Sequence, residues 1–292
     1  MNYLEDLVEP ISKKALSYDA EKQLLVGEDE YKVINDIPSF LKNEDFGEHW
    51  ENNATESIPE SKLDEANKFL QPVFKFQEKQ NRSLKILDGG CGDGIHLLEL
   101  EKNYFVKQHN SIAYGIDMAG YALQLCKKRM KNAWPLLQCD VGHLPFKNET
   151  FDVAFSFGVL GYTNNPFASF EEIIRTVKPG GLVGLWLYPK QTGLGGLAFE
   201  TVRTLSQLTG KIGTNLLANI IVPFLGLLPI ASKMSLANAS RKECKEIVMV
   251  NIAPTQLFFP TEEEIIDWFK KKNIDIKLRD EVNKITIWGI KK

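Results

Sequence analysis

Cysteine is scarce in this 292-residue sequence, and it is scattered. Cys91, Cys126, Cys139 and Cys244 form no Cys-x-x-Cys pair, and none precedes Cys91. This spacing excludes a zinc knuckle or a disulfide framework, and it fits free thiols in a reducing compartment. An excess of charge of one sign is also missing. Lys+Arg number 35 against 38 Asp+Glu, a net charge of −3, which leaves no global electrostatic footprint for nucleic acid. The N-terminus, Met1-Asn-Tyr-Leu-Glu-Asp-Leu, is acidic and lacks the apolar core of a signal peptide, so a cytoplasmic protein is expected. What is present is ordinary for a globular chain, with 43% hydrophobic and 25% charged residues. The length suits one large α/β domain with additions, or two small domains.

The chain is organised around Lys85-Ile-Leu-Asp-Gly-Gly-Cys-Gly-Asp-Gly-Ile95. A short apolar strand, closed by Asp88, runs into a loop in which Gly90, Gly92 and Gly94 alternate with other residues, and an apolar helical run begins at Ile95. Glycine lets such a loop turn tightly and lets its backbone touch a ligand. The free N–H groups at the start of the following helix favour the anionic end of that ligand. A dinucleotide fingerprint would read Gly-x-Gly-x-x-Gly. Here the spacing is Asp-x-Gly-x-Gly-x-Gly. The leading acid repels a pyrophosphate but accepts a hydrogen bond from a cationic amino-acid headgroup.

This stretch resembles motif I of the class I S-adenosylmethionine-dependent methyltransferases. The resemblance implies S-adenosylmethionine as cofactor, with Asp88, Gly89, Gly90, Cys91, Gly92 and Gly94 around it. Ile112-Ala-Tyr-Gly-Ile-Asp117 is a second strand ending in an acid 23 residues past Gly94. A carboxylate there accepts from two vicinal ribose hydroxyls, which assigns Asp117, followed by Met118, to the ribose; the plainer role is the cap of the next helix. Asp140-Val-Gly-His-Leu-Pro-Phe146 resembles the family's adenine motif, with Asp140 accepting from the adenine amino group and Val141 beside it. Ser156 and Phe157 lie where the fourth strand is expected to open towards the cofactor. Lys178-Pro-Gly-Gly181 is a further match.

Taken in order, residues 1–45 read as a small N-terminal hairpin-like appendage, with strands near 22–26 and 31–34. Residues 31–41 resemble the tail of a small zinc-ribbon-like module fused ahead of some methyltransferases; without upstream cysteines it would be metal-free. Phe46-Gly-Glu-His-Trp50 is either an aromatic cover for the cofactor or an anchor on the core. A helix is expected over 61–80, with Pro72 placed to kink or split it. Helices over 95–103 and 119–132 then alternate with strands at 84–87, 112–117, 135–140, 151–160 and 182–188. Ser169-Phe-Glu-Glu172 reads as a capping box for the helix before the fifth strand. Thr261-Glu-Glu-Glu264 reads as another, starting a helix over 262–272, and residues 274–279 and 284–290 alternate as two strands.

Alternation over 84–188 implies an α/β fold, a doubly wound mostly parallel sheet whose ligand lies beyond the carboxyl ends of the strands. The resemblance implies seven strands in a Rossmann-like methyltransferase fold, closing in a terminal antiparallel hairpin. Residues 46–189 and 258–292 would form that core, and 190–257 a helical lid inserted over the acceptor pocket. Residues 212–232 carry no charge. Strands of one sheet on both sides exclude a single membrane span there. The run is therefore expected to be buried, to face an apolar acceptor or to touch a membrane surface.

The implied reaction is in-line transfer of a methyl group to a small, partly apolar acceptor, a task of alignment and water exclusion. Where a base is needed, His143, Tyr162, His49 and Tyr188 are the candidate catalytic residues; His96 and His109 have weaker claims. No Asn-Pro-Pro-Tyr-like sequence follows the fourth strand, which counts against methylation of planar amides. No metal site is expected. The alternatives are a catalytically silent S-adenosylmethionine-binding subunit of a partner enzyme, a peripheral membrane methyltransferase acting on a lipid or quinone, and a nicotinamide oxidoreductase. The glycine spacing and terminal hairpin disfavour the last.

Overall fold

The computed structural model describes residues 3–41, 58–131, 134–190, 193–221, 257–280 and 285–292. Phe46 to Trp50, with His49 among them, Cys244 and residues 222–256 lie outside these.

Seven strands form the central sheet: β5 (Lys85–Gly89), β6 (Ile112–Asp117), β7 (Leu136–Gln138), β8 (Phe151–Phe157), β9 (Val177–Leu187), β10 (Ile274–Asp280) and β11 (Ile285–Lys291). Their order is β10-β11-β9-β8-β5-β6-β7. Strands β5 to β9 pair in parallel, while β11 pairs antiparallel with both β9 and β10. The α/β fold with its terminal hairpin is as expected. The chain leaves β5 on one side towards β6 and returns on the other to β8. This reversal opens a crevice at the carboxyl ends of those strands.

Side-chain alternation fills both faces. Ile86, Ala113, Val153, Phe155 and Trp186 join one cluster, with Phe69, Leu70 and Val73 of helix α1 (Glu60–Gln80). Leu87, Tyr114, Ala154, Val183 and Leu185 point the other way, against helices α5 (Pro166–Thr176) and α7 (Glu262–Lys271). Strands buried on both faces read as near-continuous apolar runs, as these do. Gly184 stands opposite Trp288, and a Cβ there would meet the indole at 2.4 Å, so the glycine makes room for the ring.

Helices α2 (Ile95–Lys102) and α4 (Gly120–Arg129) follow β5 and β6, and a short helix α3 (Tyr104–Gln108), not foreseen, lies between. Pro72 does not split α1, which is one helix of 21 residues. Its buried apolar face against the sheet outweighs one missing hydrogen bond. The Thr261 capping box forms as expected. The Ser169 box does not. The helix begins earlier, with Asn165 accepting from the Ala168 N–H and Pro166 in the first turn. Ser169 is buried inside the helix, and Glu172 turns to Arg175 and Lys13. Proline's fixed φ pre-forms that first turn. The fifth sheet strand also starts earlier, at Val177, so that Lys178-Pro-Gly-Gly181 lies inside β9.

The N-terminal residues form a four-stranded antiparallel sheet, β1 (Ser17–Asp19), β2 (Leu24–Val26), β3 (Glu30–Ile34) and β4 (Ile37–Pro38). Only β2 and β3 were foreseen. This small sheet is tied to the main one. The Phe40 N–H donates to the Gln138 carbonyl at 2.8 Å, and Ser39 bridges Gln138 in parallel, which covers part of the β7 edge. Helix α6 (Gly193–Ile221) leaves the carboxyl end of β9 and is interrupted at Gly210. Among the described residues, no helix is long and apolar enough to cross a membrane.

Candidate functional site

The carboxyl ends of β5, β6, β7 and β8 bring the predicted residues to one edge. Asp88 pairs with Gly115 in register, and Asp117 with Gln138. The loop after β5 is held from below: the Ile116 carbonyl accepts from the Gly90 N–H at 2.9 Å and the Cys91 N–H at 2.8 Å. Gly90, Gly92 and Gly94 have φ of 91°, 53° and 87°, in the left-handed region. Glycine at position 90 is expected either to leave ligand space or to allow the loop's backbone angles, and its positive φ fits the second reason. The packing adds another reason, since a Cβ there would meet Val159 at 2.2 Å. At Gly94 it would meet the Cys126 sulfur at 2.4 Å. Gly94 is the N-cap of α2, so the loop delivers the helix N-terminus to the site.

Asp117 does not cap α4, because Ala119 stands at that position. Its carboxylate accepts from the Gly92 N–H at 2.9 Å and from the Ala119 N–H at 2.8 Å, tying the glycine loop to β6. Burial raises its carboxyl above the usual range, while these N–H groups and that of Met118 oppose the rise. The Met118 carbonyl is taken by the Gln138 side chain. Asp140 accepts from the Gly142 N–H at 2.9 Å and lies 3.2 Å from His143 Nδ1, with His143 exposed on the rim. Val141 is buried beside Gly89. Ser156 was expected to open towards the cofactor; its hydroxyl instead donates to the Gly89 carbonyl at 2.7 Å, which orients the β5 end. Phe157 stacks on Trp186 at 4.2 Å, and Trp186 meets Tyr188 edge-on.

Asp88 is the anomaly. It is 0% exposed, and neither carboxylate oxygen has a hydrogen-bond partner among the described residues. Burial, with the like charge of Asp117, pushes its carboxyl well above the usual range. Its neighbour is His96, whose Nδ1 lies 3.9 Å from Asp88 Oδ2. The imidazole is packed among Phe69, Phe155 and Phe157, and burial pushes its pKa down to about 4. Sequence reading gave His96 only a minor place. The pointer to it was its position in the first turn of the helix that Gly94 opens.

Tyr162 and Tyr188 interact at the exits of β8 and β9. Burial raises both phenols, Tyr162 further through Tyr188, so both stay protonated at neutral pH. A buttress that the sequence did not reveal holds the turn after Asp140. Glu172 accepts from the Leu144 N–H at 3.1 Å, and Lys13 reaches both Glu172 and the Leu144 carbonyl. Among the described residues no group of His, Cys, Asp and Glu side chains is arranged to hold a metal.

A buried acid without a hydrogen-bond partner among the described residues, a helix N-terminus opened by glycines, and acids at or just beyond the ends of two further strands offer acceptors for an ammonium and for hydroxyls and backbone N–H groups for a carboxylate, the groups S-adenosylmethionine presents. This arrangement is similar to that of the class I S-adenosylmethionine-dependent methyltransferases. Residues 87–185 match the family model for the methyltransferase domain.

Curated relatives agree at the level of the domain. A tRNA (carboxymethyluridine(34)-5-O)-methyltransferase of Arabidopsis thaliana is 31% identical over 114 residues, 38% of this chain and 26% of that protein. A demethylmenaquinone methyltransferase of Corynebacterium kroppenstedtii is 34% identical over 98 residues, 33% of this chain and 38% of the relative. The chain thus spans well under two thirds of these relatives' length. Among solved structures, magnesium protoporphyrin IX methyltransferase from Synechocystis with bound S-adenosylhomocysteine matches with a TM-score of 0.49 and 13% identity, over 84% of this chain and 93% of that one.

Proposed function

We propose that this chain transfers a methyl group from S-adenosylmethionine to a small, partly apolar acceptor. The unpartnered Asp88 carboxylate at the switch point supports this most, because a buried acid without a partner is retained where a ligand supplies the partner. Asp88 is assigned to the ammonium, the loop from Gly89 to Gly94 to the amino-acid carboxylate, Asp117 to the ribose, and Asp140 with the Val141 N–H to the adenine. When bound, the cofactor supplies a sulfonium-activated methyl group. The chain has then to align the acceptor and keep water out. The stacked pair Phe157 and Trp186 walls the exits of β8 and β9 against solvent. Tyr162 and Tyr188, both protonated, orient an acceptor oxygen or nitrogen by donating to it.

The apolar acceptor is inferred from the insertion. Helix α6 leaves the edge of β9 where the crevice lies and exposes Leu197, Leu205, Leu208, Leu216 and Ile220. Several exposed apolar side chains on one segment suit a surface that meets something apolar. The domain division follows: an N-terminal appendage over 1–45, a core over 46–189 and 258–292, and a lid over 190–257. Leu216 and Ile220, at the start of the uncharged run, favour a second reading, contact with a membrane surface through 212–232 and a lipid-like acceptor. A cytoplasmic setting suits the free, buried thiols of Cys91, Cys126 and Cys139.

Titration calorimetry with S-adenosylhomocysteine and with NAD tests the cofactor; binding of NAD alone, or of neither, would sink the reading. Sedimentation with anionic vesicles separates the two acceptor readings. A chain that stays in the supernatant, with or without S-adenosylhomocysteine, removes the membrane one.

A further inference from the structure

Asp88 and His96 bury three polar side-chain atoms without hydrogen-bond partners among the described residues: both Asp88 oxygens and His96 Nε2. The groups facing Asp88 explain why. From α2 comes His96, 3.9 Å away and ringed by Phe69 of α1 and by Phe155 and Phe157 of β8. From β6 comes Asp117, a like charge already engaged by the Gly92 and Ala119 N–H groups. The glycine loop contributes the Cys91 thiol, which burial holds protonated. From β8 the residue opposite Asp88 is Phe155, which brings no polar group, and the neighbouring Ser156 hydroxyl is committed to the Gly89 carbonyl. Arg129, the basic side chain flanking the loop, is paired with Asp93. None of these groups gives Asp88 a countercharge.

We propose that the free protein holds Asp88 as a neutral carboxyl beside a neutral His96, and that an ammonium group entering this subsite displaces the Asp88 proton to solvent. An α-amino-acid headgroup is then recognised with release of one proton. The O–H bond of the carboxyl breaks, the proton passes to water or buffer, and the carboxylate left behind pairs with the ammonium; nothing is oxidised or reduced. The inference rests on the methyltransferase reading and adds to it a protonation change at the headgroup subsite. Desolvation disfavours an isolated buried carboxylate, and it disfavours a buried imidazolium equally, so the His96 side chain cannot take the place of the ligand's cation. A headgroup without an ammonium leaves Asp88 protonated. Affinity for the full amino-acid ligand therefore rises with pH up to the titration of Asp88, whereas affinity for the bare nucleoside does not.

Calorimetry on the full chain tests this with two probes, S-adenosylhomocysteine, which carries the ammonium, and 5′-methylthioadenosine, which lacks the amino-acid part. Titrations in buffers of different ionisation enthalpy count the protons exchanged. Below the Asp88 titration, S-adenosylhomocysteine should release about one proton and tighten by up to about tenfold per pH unit, while methylthioadenosine releases none and stays flat. In Asp88→Asn the release should vanish and the dissociation constant for S-adenosylhomocysteine should become independent of pH, with methylthioadenosine binding as in the wild type. Binding of S-adenosylhomocysteine without proton release, or equal release with both probes, overturns the proposal and leaves the cofactor assignment standing. Binding of neither probe overturns the cofactor assignment and this proposal with it.

Discussion

Two aspartates buried in the same sheet sit at its opposite ends and have opposite surroundings. At the amino end of β8, Asp152 accepts from the Lys85 N–H at 2.9 Å, from Arg82 at 2.9 Å and from Lys178 at 2.9 Å. Burial works against its charge, yet these partners outweigh burial and hold its carboxyl below the usual range. Nearby, Asp6 is bonded to Lys85 and Tyr114 in the same manner. At the carboxyl end of β5, Asp88 has no hydrogen-bond partner among the described residues, and burial drives its carboxyl upward. One end of the sheet has its polar groups satisfied internally and serves stability. The other leaves a buried acid without a hydrogen-bond partner among the described residues, as a site kept for a ligand's cation would. Burial alone does not tell the two aspartates apart; their hydrogen-bond partners do.

The largest effect we expect is from Gly94→Val, which strikes the frame of the reserved end. It forces a β-branched residue to positive φ and drives a Cβ against the Cys126 sulfur. We expect a loss of about 3 kcal/mol or more in denaturant unfolding, and no detectable S-adenosylhomocysteine binding. Wild-type affinity in a folded variant would remove the loop from the site.

Asp152→Asn tests the satisfied end. It weakens bonds to two half-exposed cations and a backbone N–H, so a loss of about 2 kcal/mol is expected, with ligand affinity unchanged. The sign with pH follows from the depressed carboxyl. Its contribution is complete above the ordinary aspartate value of 3.8 and is lost as pH falls through the lower folded value. The stability difference between wild type and variant should therefore shrink in acid. A constant difference down to full protonation would show that the charge of Asp152 contributes nothing.

Asp88→Asn should invert that pattern. A raised folded value favours the folded state below 3.8, and the advantage is lost as pH rises towards the folded value. At neutral pH the asparagine variant should be at least as stable as the wild type, while its affinity for S-adenosylhomocysteine falls about tenfold to a hundredfold. A variant that unfolds more readily at neutral pH would place Asp88 with Asp152 as a structural acid and erase the contrast.

The smallest effect concerns Tyr188→Phe on the outer wall. Removing one phenol that is 40% exposed should change stability by no more than about 0.5 kcal/mol and leave cofactor binding as it was. A change in KM for a methyl acceptor, with the S-adenosylmethionine affinity constant, would assign the phenol to the acceptor. Loss of cofactor affinity would move it out of the acceptor wall and into the cofactor site.

Local patterns carried much of this fold in the sequence itself. Apolar runs of four to seven residues closed by Asp88, Asp117 and Asp140 located the parallel strands, and Thr261 with Glu264 located a helix start, because a strand's exit and a helix's cap depend on neighbouring residues. The glycine spacing after Asp88 named the ligand class for the same reason. The rest depended on contacts between residues far apart in the chain. Pro72 stays inside an unbroken helix because the sheet face beneath it is apolar, and Ser169 is no cap because Asn165 and Pro166 fix the helix start one turn earlier. Gly90 is required by Val159, some seventy positions later, and Ser156 turns to a carbonyl of a neighbouring strand. Lys13 reaches the turn beyond Asp140 only once the N-terminal sheet has docked on β7. That Asp88 is left without a partner among the described residues while Asp152 has three is decided by which strands and helices end beside each. A sequence states that an acid is present, but whether its charge is satisfied depends on the three-dimensional neighbours that desolvate or bond it.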